Sequence, residues 1–362
     1  MEHLTLHTGE ILRPDNLMAW RDAPEQEAAE CRAELADFLQ EWWNDSADML
    51  LHSSGSTGEP KAFYAKKQHM RASALRSCQY LQLQVGQSVL LRLPLPYIAA
   101  KIMLVRCLVG GLVLCLRQAS SHIWEGLDPT MQVDFAPLVS IQVAQGTEAE
   151  LARIGTILLG GGMVPEAVEQ KLAHHRGRVY ASYGMTETLS HIALRRMNGS
   201  QASCAYTPLP DVSLAQDEWG CLVISAPYLG IESMATNDLV NIEPSGSFRV
   251  IGRRDNIINS GGIKLQAEKI EEKLHRATGL HVVALAAPHP QLGQCVALLW
   301  EGEQELEPEL KEAIKSELST YQRPKFIQHV ASIPRTSSGK VARGRAQTLL
   351  QEVGENDSSC LK

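Results

Sequence analysis

Ser53-Ser54-Gly55-Ser56-Thr57-Gly58-Glu59-Pro60-Lys61 sets hydroxyl side chains, two glycines and a lysine directly behind the apolar run Met49-Leu50-Leu51. A short strand running into such a loop has a chemical use. Glycine lets the backbone turn its amides inward, and a nest of N–H groups binds phosphate oxygens. The hydroxyls donate further hydrogen bonds and Lys61 adds a positive charge. A plain Ser/Gly turn has the same composition. Two details separate this stretch from one: it ends in Pro-Lys, and helical periodicity resumes behind it, with Met70, Ala74, Leu75, Cys78 and Leu81 on one stripe. It is not a Walker A loop, since G-x-x-x-x-G-K-[ST] is missing. Ser337-Ser338-Gly339-Lys340 fails the same test, because Pro334 stands where the first glycine belongs.

Around this loop the pattern alternates. Residues 26–44 place Cys31, Leu35, Phe38, Leu39 and Trp42 on one helical face. Strands are predicted at 88–93, 112–116, 156–159 and 178–181, with a helix at 97–109 and another opened by Pro165. Strands alternating with helices specify an α/β fold with a largely parallel sheet covered on both faces. From about Thr207 short strands such as 220–224 and 247–251 alternate with turns, which predicts a β-rich subdomain. The polar stretch 253–256 is the expected boundary and hinge between a large domain, 1–252, and a small α+β domain, 256–362. In the small domain helices are predicted at 266–277 and 308–319, and strands at 282–287 and 326–330.

Bulk composition narrows the function. With 362 residues, 44% hydrophobic and 21% charged, the chain is globular and long enough for two cores. A net charge of -7 gives no basic footprint for nucleic acid or anionic lipid, so an anionic substrate must be held by local groups. The eight cysteines form no C-x-x-C pair, and no histidine cluster suggests zinc. They read as small apolar core residues in a reducing cytoplasm. No charged-then-apolar leader opens the chain, and the most apolar stretch, 102–116, is interrupted by Arg106 and a glycine pair. Stable membrane association is therefore not expected, and nothing in the sequence specifies an oligomer.

Ser-Ser-Gly-Ser-Thr-Gly-x-Pro-Lys resembles the phosphate loop of the adenylate-forming superfamily, which includes acyl-CoA synthetases, peptide-synthetase adenylation domains and luciferases. Further segments match in the family's order. Tyr180-Ala181-Ser182-Tyr183-Gly184-Met185-Thr186-Glu187-Thr188 is similar to its second signature. The resemblance implies that Tyr183 lies near adenine, that Thr186 contacts the α-phosphate and that Glu187 helps hold Mg²⁺, a metal that takes few carboxylates beside phosphate oxygens and water. Gly160-Gly161-Gly162 resembles the adenine-side loop, and Asp238 in Thr236-Asn237-Asp238 the ribose-binding aspartate. Asn237 replaces the family's glycine and is expected to keep a left-handed turn there. Arg253 would contact ribose and Asp255 would be the hinge residue, followed by Gly261, Gly262 and Lys264 in the loop that faces the thiol. Pro334 to Arg343 resembles the C-terminal signature, whose lysine, Lys340, bridges the substrate carboxylate and the α-phosphate.

The activity implied is ATP-dependent, AMP-forming ligation of a small carboxylic acid to coenzyme A, with Mg²⁺. For the acid, the resemblance tilts toward the o-succinylbenzoate–CoA ligases of menaquinone synthesis. Thr186-Glu187-Thr188-Leu189-Ser190-His191 is similar to their Thr-Glu-Thr-x-Ser-Gln, with His191 for the glutamine. Arg106 falls where their helix carries an arginine for a substrate carboxylate, with Tyr97 at the head of that helix. A structural ion pair, or an arginine reaching solvent, explains Arg106 equally well from sequence. Another aryl- or acyl-CoA ligase, a stand-alone adenylation enzyme and an inactive nucleotide-binding homologue are compatible with the same residues. The last is kept because only about fifty residues precede the phosphate loop, so the large domain is expected to be truncated at its start relative to the family.

Overall fold

The computed structural model describes residues 2–23, 29–52, 62–302, 308–336 and 341–354. A nine-stranded sheet organises the larger part of the chain. Its centre is parallel, in the order Leu4–Leu6, Val113–Leu116, Ser88–Leu91, Val133–Val139, Ile154–Gly160 and Arg178–Met185. Antiparallel strands finish both edges: Ile11–Leu12 on one side, Ser190–Arg196 and Thr207–Pro208 on the other. Alternate residues feed two cores, as the period of two requires. Val89, Leu91, Leu114, Phe135 and Leu158 join the helices Ala29–Trp43, Lys67–Leu81 and Ile98–Gly110 on one face. Leu90, Cys115, Ala136, Ile157 and Leu159 join Val143, Val168 and Leu172 on the other. Coverage on both faces explains why these strands read as near-continuous apolar runs.

The expected β-rich part is a four-stranded antiparallel sheet, Ser213–Gln216, Cys221–Ala226, Ile231–Ile242 and Phe248–Arg253. A 3-10 turn, Arg254–Asn256, follows at once. Beyond it a second domain builds a five-stranded sheet from Ile257–Ser260, Ile263–Gln266, Gly293–Glu301, Val282–His289 and Phe326–Val330. The helices Ala267–Thr278, Pro308–Ser316 and Arg343–Gly354 belong to the same domain. Its apolar clusters begin at Ile258, whereas those of the larger part end at Phe248. An exposed ion pair, Arg276 to Glu166 at 3.0 Å, runs between the two parts; at the surface such a pair contributes about 1 kcal/mol at most.

The structure corrects several expectations. A strand, Ala62–Lys66, stands between the Ser/Gly loop and the helix, and pairs with Asp48–His52. The strand Asp48–His52 is therefore followed by a paired strand before the helix begins. In helix Lys67–Leu81, Leu75 is exposed, and Ser73 and Ser77 are buried beside Met70, Ala74, Cys78 and Leu81. The helix at 26–44 is described from Ala29, with all its five expected apolar residues buried. Six of the eight cysteines are buried and unbridged, Cys204 is exposed and unbridged, and Cys360 lies outside the described residues.

The C-terminal signature segment is anchored at its end. Arg343 donates through Nη2 to both oxygens of Glu271, at 2.8 and 2.7 Å, and through Nη1 to the Ala284 carbonyl at 3.0 Å. Glu271 also accepts the Ala284 amide at 2.8 Å. Breaking a fully buried pair costs roughly 3–5 kcal/mol because the partner's charge is stranded. About a fifth of each side chain is exposed here (21% and 19%), which lowers the expectation. Arg343→Ala should destabilise the C-terminal domain by about 2–3 kcal/mol, measured by chemical denaturation against Arg343→Lys; a loss below about 0.5 kcal/mol would remove the anchor's importance.

Candidate active site

In open α/β sheets ligands bind beyond the carboxyl ends of the strands. Strand Ile154–Gly160 ends on Gly160-Gly161-Gly162, where φ is +98° at Gly161 and +141° at Gly162. Its parallel neighbour Arg178–Met185 runs out along the same edge into the turn 186–189. The two ends are tied, because Ser182 donates from Oγ to the Leu159 carbonyl at 2.7 Å. Gly160-Gly161-Gly162 and the segment 180–188, separated in sequence, are thus adjacent.

The turn 186–189 joins two antiparallel strands, not a strand and a helix. Leu189 donates its amide to the Thr186 carbonyl at 2.9 Å and takes φ +58°. Thr188, wholly buried, accepts the Met185 amide at 2.9 Å and donates to the Ser190 carbonyl at 2.6 Å. These bonds fix a tight turn with Thr186 buried and Glu187 exposed at its tip. The Glu187 carboxylate has no hydrogen bond or ion pair among the described residues. Gly184 is sterically required: a Cβ there would lie 2.2 Å from the Ser190 carbonyl oxygen.

A second group of site residues converges through one carboxylate. Residues 236–238 lie between Ala235, paired with Val223, and Leu239, paired with Cys221. Three residues therefore face one, an enlarged bulge that re-aims Asp238. This replaces the left-handed turn expected at Asn237, which does not have positive φ. Asp238 accepts the Tyr183 hydroxyl at 2.6 Å and Arg253 Nη1 at 3.0 Å. Arg253 also donates to both oxygens of Asp255, at 2.9 and 2.7 Å. Tyr183, Asp238, Arg253 and Asp255 thus form one chain of hydrogen bonds. The Tyr183 ring packs edge-on to Phe248, with centroids 5.0 Å apart. Burial, reinforced by the Asp238 charge, pushes its phenol pKa well above the usual value.

Helix Ile98–Gly110 is buried nearly all round, as its apolar sequence predicts, and Tyr97 caps its start. Arg106 sits inside it with 2% of its surface exposed. Neither alternative explanation for this arginine holds among the described residues, since it does not reach solvent and pairs with no carboxylate. Its Nη2 donates to Ser190 Oγ at 2.6 Å, at the foot of the signature turn, and its Nε has no partner among the described residues. Burial lowers its pKa to about 10, so it remains a cation near neutrality. Ser190 stands out in the sequence only as part of the 186–191 match, and Ser77 does not stand out; its only signal is a hydroxyl in an otherwise apolar helical stripe. Gly261 and Gly262, with φ +60° and +85°, form the two-residue turn between Ile257–Ser260 and Ile263–Gln266, on which Lys264 is exposed. Both positive angles fit a type I′ hairpin. Ser53, Ser54, Gly55, Ser56, Thr57, Gly58, Lys61 and Lys340 lie outside the described residues.

A parallel sheet with signature loops at its carboxyl edge, a β-rich sheet supplying an aspartate, and a separate small domain define a two-domain nucleotide-dependent enzyme. The chain belongs to the AMP-binding enzyme family: that family matches residues 6–221, and the AMP-binding enzyme C-terminal domain matches residues 269–340. Among curated relatives, the 2-succinylbenzoate–CoA ligase of Enterococcus faecalis is 25% identical over 355 residues, covering 88% of this chain and 72% of that protein. The ligase of the same name from Listeria monocytogenes is 27% identical over 350 residues, covering 88% and 73%. Among solved structures, an acyl-CoA synthetase (AMP-forming)/AMP-acid ligase II-like protein from Dyadobacter fermentans is 33% identical, with a TM-score of 0.60, covering 91% of this chain and 97% of that one. The o-succinylbenzoate–CoA synthetase of Bacillus subtilis, in complex with its acyl-adenylate intermediate, shares the fold with a TM-score of 0.71 at 21% identity, covering 88% and 71%.

His191, next to Ser190, has its pKa pushed well below the ordinary 6.5 by burial and by the Arg106 charge. Below about pH 6.5 the unfolded chain therefore binds a proton that the native protein refuses. The stabilisation is present above that pH and is lost as pH falls; His7, His175 and His281, also lowered first by burial, act in the same direction. The melting temperature should fall between about pH 7 and pH 5, less steeply in His191→Gln. An identical slope in that variant would show that His191 carries none of the effect.

Proposed function

We propose that this protein is an ATP-dependent, AMP-forming carboxylate–CoA ligase whose acid is o-succinylbenzoate, acting in menaquinone synthesis in a bacterial cytoplasm. The observation that carries the substrate is Arg106: a buried cation without a carboxylate among the described residues, hydrogen-bonded to the base of the turn bearing Thr186 and Glu187. A charge so placed is costly to bury unpaired. An acid with two carboxylates relieves that cost: one is presented for activation and the other reaches the guanidinium, the residue type suited to planar, bidentate binding of carboxylate. The curated relatives named as ligases of this acid support the same choice.

In this reading the loop Ser53 to Lys61 and Thr186 cradle the phosphates, Gly160-Gly161-Gly162 lines the adenine, and Asp238 with Arg253 takes the ribose. Ser182, Tyr183, Gly184 and Met185 carry the phosphate-side turn beside them. Glu187 would hold Mg²⁺, and its exposed, unpaired carboxylate fits a metal that keeps phosphate and water ligands. When bound, the ion offsets phosphate charge. A substrate carboxylate oxygen attacks the α-phosphorus and pyrophosphate leaves. Lys340 stabilises the charge that develops, and no protein nucleophile is needed. The thiol sulfur of CoA then attacks the acyl carbon, and AMP leaves.

The two steps need different groups at one place. We assign the large domain to 1–252, the hinge to 253–256 around Asp255 and the mobile domain to 256–362, which alternately brings up Lys340 and the Gly261-Gly262-Lys264 hairpin. Asp238, bonded to the Tyr183 hydroxyl and to Arg253, is linked through that arginine to Asp255.

Pyrophosphate release by purified protein with ATP, Mg²⁺ and CoA should depend on o-succinylbenzoate and give its CoA thioester. Release only with benzoates or fatty acids would discard this acid and keep the ligase; no release with any acid would discard the ligase. Lys340→Ala should slow adenylation by about 10²–10³-fold, as loss of one preorganised transition-state donor does, while thioester formation from added acyl-adenylate is spared. Equal loss of both half-reactions would count against domain alternation. Arg106→Leu should raise KM for the acid by about 10- to 100-fold, the worth of a hydrogen bond to a charged group, with KM for ATP unchanged in steady-state kinetics.

A further inference from the structure

Arg106 is surrounded by neutral partners from two other elements. Its Nη2 reaches His191 Nδ1 at 3.4 Å as well as Ser190 Oγ at 2.6 Å. Arginine has donors only, so Nδ1 accepts and the ring proton sits on Nε2. Nε2 in turn donates to Ser77 Oγ at 2.6 Å. Ser190 Oγ lies 3.3 Å from the same Nδ1. His191 and Ser190 come from strand Ser190–Arg196, Ser77 from helix Lys67–Leu81 and Arg106 from helix Ile98–Gly110. The strand cannot shift to relax the contact, since it is paired with Gly184, where even a Cβ would lie 2.5 Å from His191 Cα.

We propose that His191, seated on Ser77, is a specificity-determining positioning residue: it aims the Arg106 guanidinium while leaving its charge uncompensated, so that the site selects an acid with a second carboxylate. The inference rests on the o-succinylbenzoate reading and deepens it. A neutral acceptor satisfies one guanidinium N–H without neutralising the cation. A carboxylate in its place would consume the charge internally and compete with the substrate. An apolar side chain would leave Nη2 with a single partner and the arginine free to turn. The wholly buried Ser77 hydroxyl holds the imidazole ring in the orientation that points Nδ1 at Arg106. Burial and the neighbouring cation both keep the ring uncharged. Glutamine can bridge the same two partners, its carbonyl accepting from Arg106 and its amide donating to Ser77.

The test is steady-state kinetics of the full chain with o-succinylbenzoate and with two analogues that each lack one carboxylate, 4-oxo-4-phenylbutanoate and 2-propanoylbenzoate. His191→Leu should raise KM for o-succinylbenzoate about tenfold, hold kcat and KM for ATP within about twofold, and shrink the preference over the analogues in proportion. His191→Gln should keep the wild-type preference, and His191→Glu should abolish it. Ser77→Ala, which removes a single oxygen, should shift KM in the same direction by about threefold, and decides the matter if His191→Leu does not fold. Wild-type preference retained in Ser77→Ala and His191→Leu, or in His191→Glu, would overturn the inference and leave the ligase reading intact. So would a fall in kcat for every acid that His191→Gln does not rescue, the signature of a merely structural role. Wild-type protein that ignores o-succinylbenzoate altogether would overturn both.

Discussion

The antiparallel pairing of Arg178–Met185 with Ser190–Arg196 is the constraint on which the rest of the site depends. It converts the last parallel strand of the sheet into a hairpin, and the hairpin distributes successive residues to different tasks. Ser182 ties back to the end of the neighbouring strand, Tyr183 reaches across to Asp238, and Gly184 admits the returning chain at a distance no side chain permits. The residues of the return strand, Ser190 and His191, then meet Arg106 from below. The Tyr183–Asp238 contact and the contacts of Ser190 and His191 with Arg106 are therefore held by the same few backbone hydrogen bonds. Displacing either strand by one residue would turn every one of these side chains to the wrong face.

Two arginines illustrate how the same side chain is used in opposite electrostatic settings. Arg253 is part-exposed and balanced by two carboxylates, Asp238 and Asp255. Arg106 is enclosed, bonded to a hydroxyl and an imidazole, and unbalanced among the described residues. The first arrangement is stable without a ligand. The second carries a desolvation cost that no carboxylate among the described residues offsets.

Much of this was legible in the sequence, for a physical reason in each case. Apolar runs bounded by glycine located four of the six parallel strands but not Leu4–Leu6 or the central Val133–Val139, and the helix carrying Arg106 announced itself by being apolar all round. Tyr183, Thr186 and Glu187 lie together at one strand end and turn because they are neighbours in sequence. Less legible were elements whose pattern is set by distant partners. Ile231–Ile242 shows no clean alternation of apolar and polar residues and is a strand because Cys221–Ala226 and Phe248–Arg253 flank it. The same dependence misled the expectation at Asn237, where a bulge against the strand partner, not a left-handed residue, turns Asp238. Ser77 illustrates the general limit: one hydroxyl in a helix stripe has no meaning until the histidine 114 residues away is placed against it.

The hydrogen-bonded run from Tyr183 through Asp238 and Arg253 to Asp255 has a thermodynamic consequence. Asp238 lies in the β-rich sheet and Asp255 in the turn that leads to the small domain, and a single guanidinium serves both. A group that draws Asp238 away frees Arg253 to close fully on Asp255, and a movement of Asp255 changes what Arg253 can offer Asp238. The two positions share one cation as common currency. Whatever free energy a change at the first exerts on the second must be returned in equal measure, so the two positions are reciprocally linked without any signal needing to cross the core.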